Sequence, residues 1–203
     1  MTVAGCPITV SDKLKTPGVT LDAALTFDEY TNNVAKICNF HKCGLRHIRR
    51  SISRGVANDM AACIVGIRFD YCNALLYGAT EKSLNKLQIV QNKLDRVVCN
   101  VTTCQQHTIE LLRNLHWLPI RSRITFKVAT LCCKAYRLHQ RSYLLDILEP
   151  YMPCCGLRSA EMDLLTVPWS QTKTAAFRFF SAAPTVWNGV SLSIRNTDSI
   201  VTF

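Results

Sequence analysis

The stretch LNKLQIVQNKLDRVV, Leu84 to Val98, decides how the rest of the chain is read. At about 100° per residue, Leu84, Leu87, Leu94 and Val98 fall on one side of a helix, while Lys82, Lys86, Lys93 and Arg96 gather on another. Neither Pro nor Gly interrupts the run. The pattern therefore predicts an amphipathic helix from about Glu81 to Cys99.

The same theme recurs upstream. A helix is predicted from about Asp28 to Ile52, with Val34, Ile37, His41, Leu45, Ile48 and Ile52 in one stripe and His41 packed within it. Lys42, Arg46, Arg49 and Arg50 occupy a different face, and the three arginines have no acidic i±4 partner downstream of Glu29, so their charge is not neutralised within the helix. Between these two helices a further helix is predicted, roughly Val56 to Leu76; it carries few charges and is a candidate for the buried centre of a bundle. Gly78 ends it as a C-cap. Tyr71 and Tyr77 in this segment either pack in the core or stack on bases.

Downstream, TTCQQHT (Thr102 to Thr108) is polar and aperiodic, the expected domain boundary. IELLRNLHWLP predicts a short helix stopped before Pro119. Ile120 to Leu138 predicts a long one, with Ile124, Val128, Leu131 and Ala135 on one side and Arg123, Lys127, Lys134 and Arg137 as a neighbouring ridge. SYLLDILEPY predicts one more short helix ending at Pro150. Beyond Tyr151 the periodicity fades into loops, a short strand and a final short helix. Phe177, Phe179, Phe180 and Trp187 are expected to pack that segment down, since such a cluster left exposed would be a large apolar patch. At the other end, ITV (Ile8 to Val10) and GVTL (Gly18 to Leu21) read as a hairpin.

Composition bounds the function. With 203 residues, 48% hydrophobic and 19% charged, the chain is expected to bury a core in one or two domains and is too apolar for disorder. Its net charge of +10 favours a polyanionic partner. No apolar run reaches the about 18 to 20 residues that span a bilayer. MTVAGCPITVSDK lacks the basic start and long apolar core of a signal peptide. The expected location is cytoplasmic or nuclear, not secreted, with no membrane partner and no small-molecule substrate. The sequon Asn100-Val101-Thr102 then has no physical meaning.

Eleven cysteines raise the question of disulfides or zinc. The number is odd and the spacing shows no CxxC ladder, so reduced thiols are expected. Two groups come nearest to a metal site: Cys38, His41, Cys43 and His47, and then Cys99, Cys104 and His107. Neither follows the spacing of a structural zinc site, and on a helix Cys43 would point away from Cys38 and His41. No metal and no cofactor is expected.

Three strings in fixed order, RFDYCNALLYG (Arg68 to Gly78), LNKLQIVQNKLDRVV and LHWLPIRSRITFK (Leu115 to Lys127), carry a resemblance. So do PGVTLDAALTFDEY (Pro17 to Tyr30), RHIRRSIS, SYLLDILEPY, LRS, LLTVP and FRFFSAAPTVWN. Together they resemble the region downstream of the polymerase core in reverse transcriptases of non-LTR, LINE-type retrotransposons, especially the jockey and chicken-repeat groups. The resemblance covers nearly the whole chain. It implies a mainly α-helical protein: a β-hairpin remnant of the palm edge over residues 1–26, a thumb-like helical bundle over 27–101, and a helical then irregular C-terminal region over 108–203.

The same resemblance implies a substrate. A thumb holds an RNA or RNA/DNA duplex by its phosphates, which positions it without reading sequence. The residues expected to do so are Lys42, Arg46, Arg49, Arg50, Lys82, Lys86, Lys93, Arg96, Arg123, Lys127, Lys134 and Arg137. Catalysis is not expected, because nucleotidyl transfer needs carboxylates that hold two metal ions on one strand turn. The family's aromatic-x-Asp-Asp turn is missing, and the one adjacent acidic pair, Asp28-Glu29, reads as helix N-terminal charge. Three departures stand out: Pro17 in place of an apolar residue, with loss of a ladder donor; Trp169 in place of an Arg; and an end at SIVTF, before the family's closing basic stretch. They point to a drifted fragment. The other readings are a helical protein-interaction module, a partner of full-length reverse transcriptase, and a transposon relic without function.

Overall fold

A computed structural model of the chain describes residues 2–3, 6–7, 12–101, 107–140, 142–153, 155, 162–172 and 178–197. Over these residues the protein is mainly α-helical with a small antiparallel hairpin near its N-terminus, the fold class expected from sequence. The chain falls into two compact units, residues 1–72 with 79–120, and residues 73–78 with 121–203.

The first unit opens with a two-residue ladder, β1 (Thr2–Val3) against β2 (Cys6–Pro7), and then a hairpin of β3 (Lys13–Thr16) and β4 (Val19–Asp22). Pro17 and Gly18 make its turn, with Gly18 at φ +82°. Pro first and a left-handed Gly second is what a type II turn requires. Glycine is needed twice over, because a Cβ here would lie 2.5 Å from the Tyr71 ring, whose hydroxyl donates to the Pro17 carbonyl at 2.8 Å. The strand partner thus differs from expectation. GVTL pairs with the residues just before its own turn, and Ile8 to Val10 lie outside the described residues. Pro17 sits in the turn, so no ladder donor is lost.

Asp22 joins the hairpin to the first long helix. Its carboxylate accepts from the Thr26 N–H and hydroxyl, both at 2.9 Å, and from the Phe27 N–H at 3.1 Å, and the Thr26 amide foremost holds its pKa below the ordinary range. Helix α1 follows (Asp28–Ile48), extended by a 3₁₀ turn over Arg49–Ser51. Asp28 and Glu29 stand in its first turn; Glu29 pairs with Lys13 at 2.7 Å, and Asp28 accepts from the Ser83 hydroxyl.

The face that α1 buries is only partly the one its large apolar residues outline: Val34 and Leu45 are buried as expected, but the rest of the stripe is not. Tyr30, Thr31, Val34, Ala35, Cys38 and Leu45 are buried, whereas Ile37 and Ile48 are exposed and His41 and Ile52 are half-buried. His41 meets Phe40 edge-on, ring centroids 5.4 Å apart, rather than sitting in the core. Thr31, Ala35 and Cys38 are short, so the helix that packs on α1, formed by Glu81–Cys99, can approach closely.

The segment expected to be one buried helix is instead broken and only half covered. It forms α2 (Arg54–Ala61), a π-helical turn (Ala62–Gly66), α3 (Ile67–Asp70) and a 3₁₀ turn (Asn73–Leu76). Ala57, Ala61, Val65 and Phe69 face inward, while Val56, Ile64 and Ile67 are exposed. Scarcity of charge signalled an apolar segment, but an apolar segment needs a neighbour on each side to be buried.

Helix α4 spans Glu81–Cys99, as its periodicity predicts. Thr80 caps its start by accepting from the Ser83 N–H at 3.3 Å. Asn100, in the left-handed region at φ 54°, ends it: Asn100 N–H donates to the Val97 carbonyl at 3.1 Å and Val101 N–H to that of Arg96 at 2.9 Å, the two bonds of a Schellman motif. Leu84, Leu87, Val90, Leu94 and Val98 are all buried, each worth roughly 1.5–3 kcal/mol on leaving water.

The first unit continues past the polar segment Thr102 to Thr108, of which residues 102–106 lie outside those described. Helix α5 (Thr108–Asn114) buries Leu111 and Leu112. Two glutamines on α4 then hold the chain that follows: Gln91 donates to the Leu118 carbonyl and Gln88 accepts from the Ile120 N–H, both at 2.9 Å. The unit ends at Ile120, the residue that Gln88 holds.

In the second unit, α6 (Ile120–Tyr136) buries Ile124, Val128, Ala129, Cys132, Cys133 and Ala135, with Leu131 half-buried. Helix α7 is shorter than expected (Ser142–Leu145). Glu149–Tyr151 runs alongside Leu164–Thr166 through bonds at 2.8 and 2.9 Å, so LLTVP supplies the expected short strand as an isolated bridge. Helices α8 (Phe179–Gly189) and α9 (Leu192–Arg195) close the unit. Trp187 is fully buried at its centre among Val128, Cys132, Leu148 and Leu165, with Ala74 and Tyr77 packed alongside. The Asp163 carbonyl accepts from the Trp187 indole at 2.9 Å and from Arg195 at 3.3 Å. Phe179 and Phe180 are half-buried; Phe177 lies outside the described residues.

Candidate nucleic-acid interface

Six of the twelve cations singled out by sequence meet in one groove. It lies where the C-terminal halves of α1 and α4 run together and encloses about 810 Å³. Lys42, Arg46, Arg49 and Arg50 line it from the α1 side, Lys93 and Arg96 from α4. Spacings of three and four residues put successive cations about 4.5–6 Å apart along each helix. Among the described residues, no Asp or Glu lines the groove.

Part of this charge serves the fold. Arg46 and Arg96 stand in the last turns of their helices, where positive charge offsets the helix dipole by roughly 0.3–1 kcal/mol. Arg49 does more: its Nε donates to the Val98 carbonyl and an Nη to the Ile52 carbonyl, both at 2.9 Å. It ties the end of α1 to the end of α4. Lys42 donates to Asn39 at 2.8 Å. Arg46, Arg50 and Lys93 are exposed, and they are the groove cations best placed to meet a phosphate. Between Lys93 and Arg96 on α4, Asp95 is fully buried, and burial pushes its carboxyl up to about 6.

The remaining six are elsewhere. Lys82 is exposed near the start of α4, and Lys86 is half-buried and donates to Asn32; neither belongs to the groove walls. Arg123, Lys127, Lys134 and Arg137 belong to the second unit. Arg137 faces the Asp163 carboxylate at 3.7 Å, so its charge is locally matched. Lys127 is exposed, and Arg123 and Lys134 are half-buried.

Residues that sequence reading did not assign to this site also line it: His47, Cys43, Val97, Asn100 and Val101. Asn100 was legible as a helix-ending residue in the left-handed region. That the ends of α1 and α4 coincide was not, since a residue pattern on one helix does not state which part of another it meets.

The metal candidates diverge. Cys38 is buried in the core with its thiol pushed up to about 12 by burial, His41 is half-buried, and Cys43 and His47 are exposed. Cys99 is half-buried, His107 is exposed, and Cys104 lies outside the described residues. Among the described residues no group of three or more His, Cys, Asp or Glu is placed to hold a metal, and no helix is long and apolar enough to cross a membrane. Comparison with protein-family models, with curated proteins and with solved structures found no match to this chain.

Proposed function

We propose that this chain is a non-catalytic binder of nucleic-acid backbone, taking RNA or RNA/DNA duplex through its phosphates in the α1/α4 groove. The observation that carries the reading is the convergence there of Lys42, Arg46, Arg49, Arg50, Lys93 and Arg96 with no acidic residue among the described lining. Cations on separate helices, brought to one concave surface, match a ligand that is itself a line of negative charge. The resemblance to the thumb region of LINE-type reverse transcriptases supports the same ligand and a role in positioning it.

Binding of this kind is indifferent to base sequence and steeply salt-dependent. Affinity falls by about 0.9 log unit per log unit of salt for each B-DNA phosphate neutralised. Arg46 and Arg50 are exposed, so the double substitution Arg46→Gln with Arg50→Gln should leave the thermal melt nearly unchanged, losing only the small helix-dipole contribution of Arg46. It should weaken duplex binding equally for all sequences and flatten the slope by roughly one to two units. Unaltered affinity at every salt concentration would sink the proposal.

A further inference from the structure

Helix α1 presents a second apolar face, and no part of the described chain covers it. Ile37, Phe40, Gly44 and Ile48 recur along it at helical spacing, with Phe40 75% and Ile48 41% exposed. Opposite stand Met60 and Ile64, the latter 40% exposed, from α2 and the π-helical turn. Between these walls lies a hollow of about 380 Å³, and Phe40 links it to a second of about 880 Å³ that reaches the hairpin. Lys15, Lys36 and Arg68 stand around the larger hollow, and among the described residues no Asp or Glu lines either one.

We propose that this groove docks one amphipathic α-helix of a partner protein, apolar along one face and acidic along its flanks. Its dimensions fit a rod. From Ile37 to Ile48 the wall runs about 16 Å, or three helical turns. Gly44 lies near its middle, with open space where a Cβ would stand, so a partner backbone can approach closely there. The apolar floor asks for an apolar ligand, as in helix-in-groove recognition.

Charge selects among the occupants. A second copy would set Lys15, Lys36 and Arg68 against themselves in a chain of net charge +10. A bilayer surface fits a protruding apolar face better than one sunk between two helices. A sugar-phosphate backbone would have to desolvate charge against Ile37 and Ile64. Acidic flanks on an apolar helix satisfy both floor and rim. The hollow adjoins the α1/α4 groove, sharing Cys43 and His47 with it, but Phe40, Ile48, Met60 and Ile64 line only the apolar side, and the proposal does not depend on the reading of the basic groove.

The test uses the full chain and a fluorescent synthetic peptide of 16 residues, with Leu at positions 2, 5, 9 and 13, Glu on the flanks and Ala elsewhere. The acidic peptide should bind saturably, and a scrambled peptide of the same composition and a Lys-flanked version should each bind at least about tenfold more weakly. Phe40→Ala and Ile64→Ser should each weaken binding by about tenfold or more while leaving duplex binding unchanged and the chain folded, with the melt lowered by no more than about a few degrees. The Arg46→Gln, Arg50→Gln chain should keep its peptide affinity. Equal binding of the scrambled peptide, or full affinity in both groove variants, overturns the proposal. So does Phe40-dependent binding to phosphatidylserine vesicles that the peptide cannot displace, or a dimer in sedimentation that Phe40→Ala abolishes.

Discussion

Asp95 is fully buried on α4, and neither carboxylate oxygen has a hydrogen-bond partner among the described residues. Burial raises its pKa from 3.8 to about 6, with Arg96 opposing the rise. The folded state therefore holds its proton more tightly than the unfolded chain. The resulting stability is complete below pH 4 and is lost as the pH climbs through 6, at a cost on the order of 3 kcal/mol once ionised. Asp95→Asn removes this dependence. Relative to the parent, the variant should gain stability between pH 4 and pH 7.5 by about that amount, measured by urea unfolding at each pH; a constant difference across the range would contradict it. Nothing in LDRVV singles out this aspartate, because whether a polar residue beside a leucine is buried depends on how wide a face the next helix covers.

Among the elements, α1 separates what periodicity reveals from what it conceals. Its length was legible to within a few residues, and so was the existence of a charged face. The packed face was not, because Thr31, Ala35 and Cys38 score weakly as apolar yet let α4 come close, while Ile37 and Ile48 face a groove instead. The consequence is an inversion of the expected mutational pattern. Ile37→Ala and Ile48→Ala should cost less than about 1 kcal/mol, since little buried volume is removed, whereas Leu94→Ala should cost about 2–5 kcal/mol by opening a core cavity. Chemical denaturation of the three variants distinguishes the patterns; losses at Ile37 matching those at Leu94 would place that residue in the core after all. The α4 helix was more legible, because Leu84, Leu87, Leu94 and Val98 define one face without competition and Thr80 and Asn100 supply its ends.

On the scale of the whole molecule, an excess of ten positive charges and the absence of an aromatic-x-Asp-Asp turn lead to the expectation of binding without polymerisation. Purified chain supplied with primer-template, nucleotides and Mg²⁺ should add no nucleotide; incorporation above a matched blank preparation would overturn the non-catalytic reading. The sequence by itself determined the helical class, the extents of α1 and α4, the presence of an N-terminal hairpin that uses GVTL and the presence of basic faces, since each depends on residues within a few turns of one another. Only the tertiary structure decided that the two compact units divide after Ile120, that Arg49 is engaged by the Val98 and Ile52 carbonyls, and that six of twelve cations share one groove while Arg137 faces Asp163. These outcomes rest on contacts between residues far apart in the chain. They are set by which side chains are short enough to let helices meet, and a helical repeat carries no record of its neighbour.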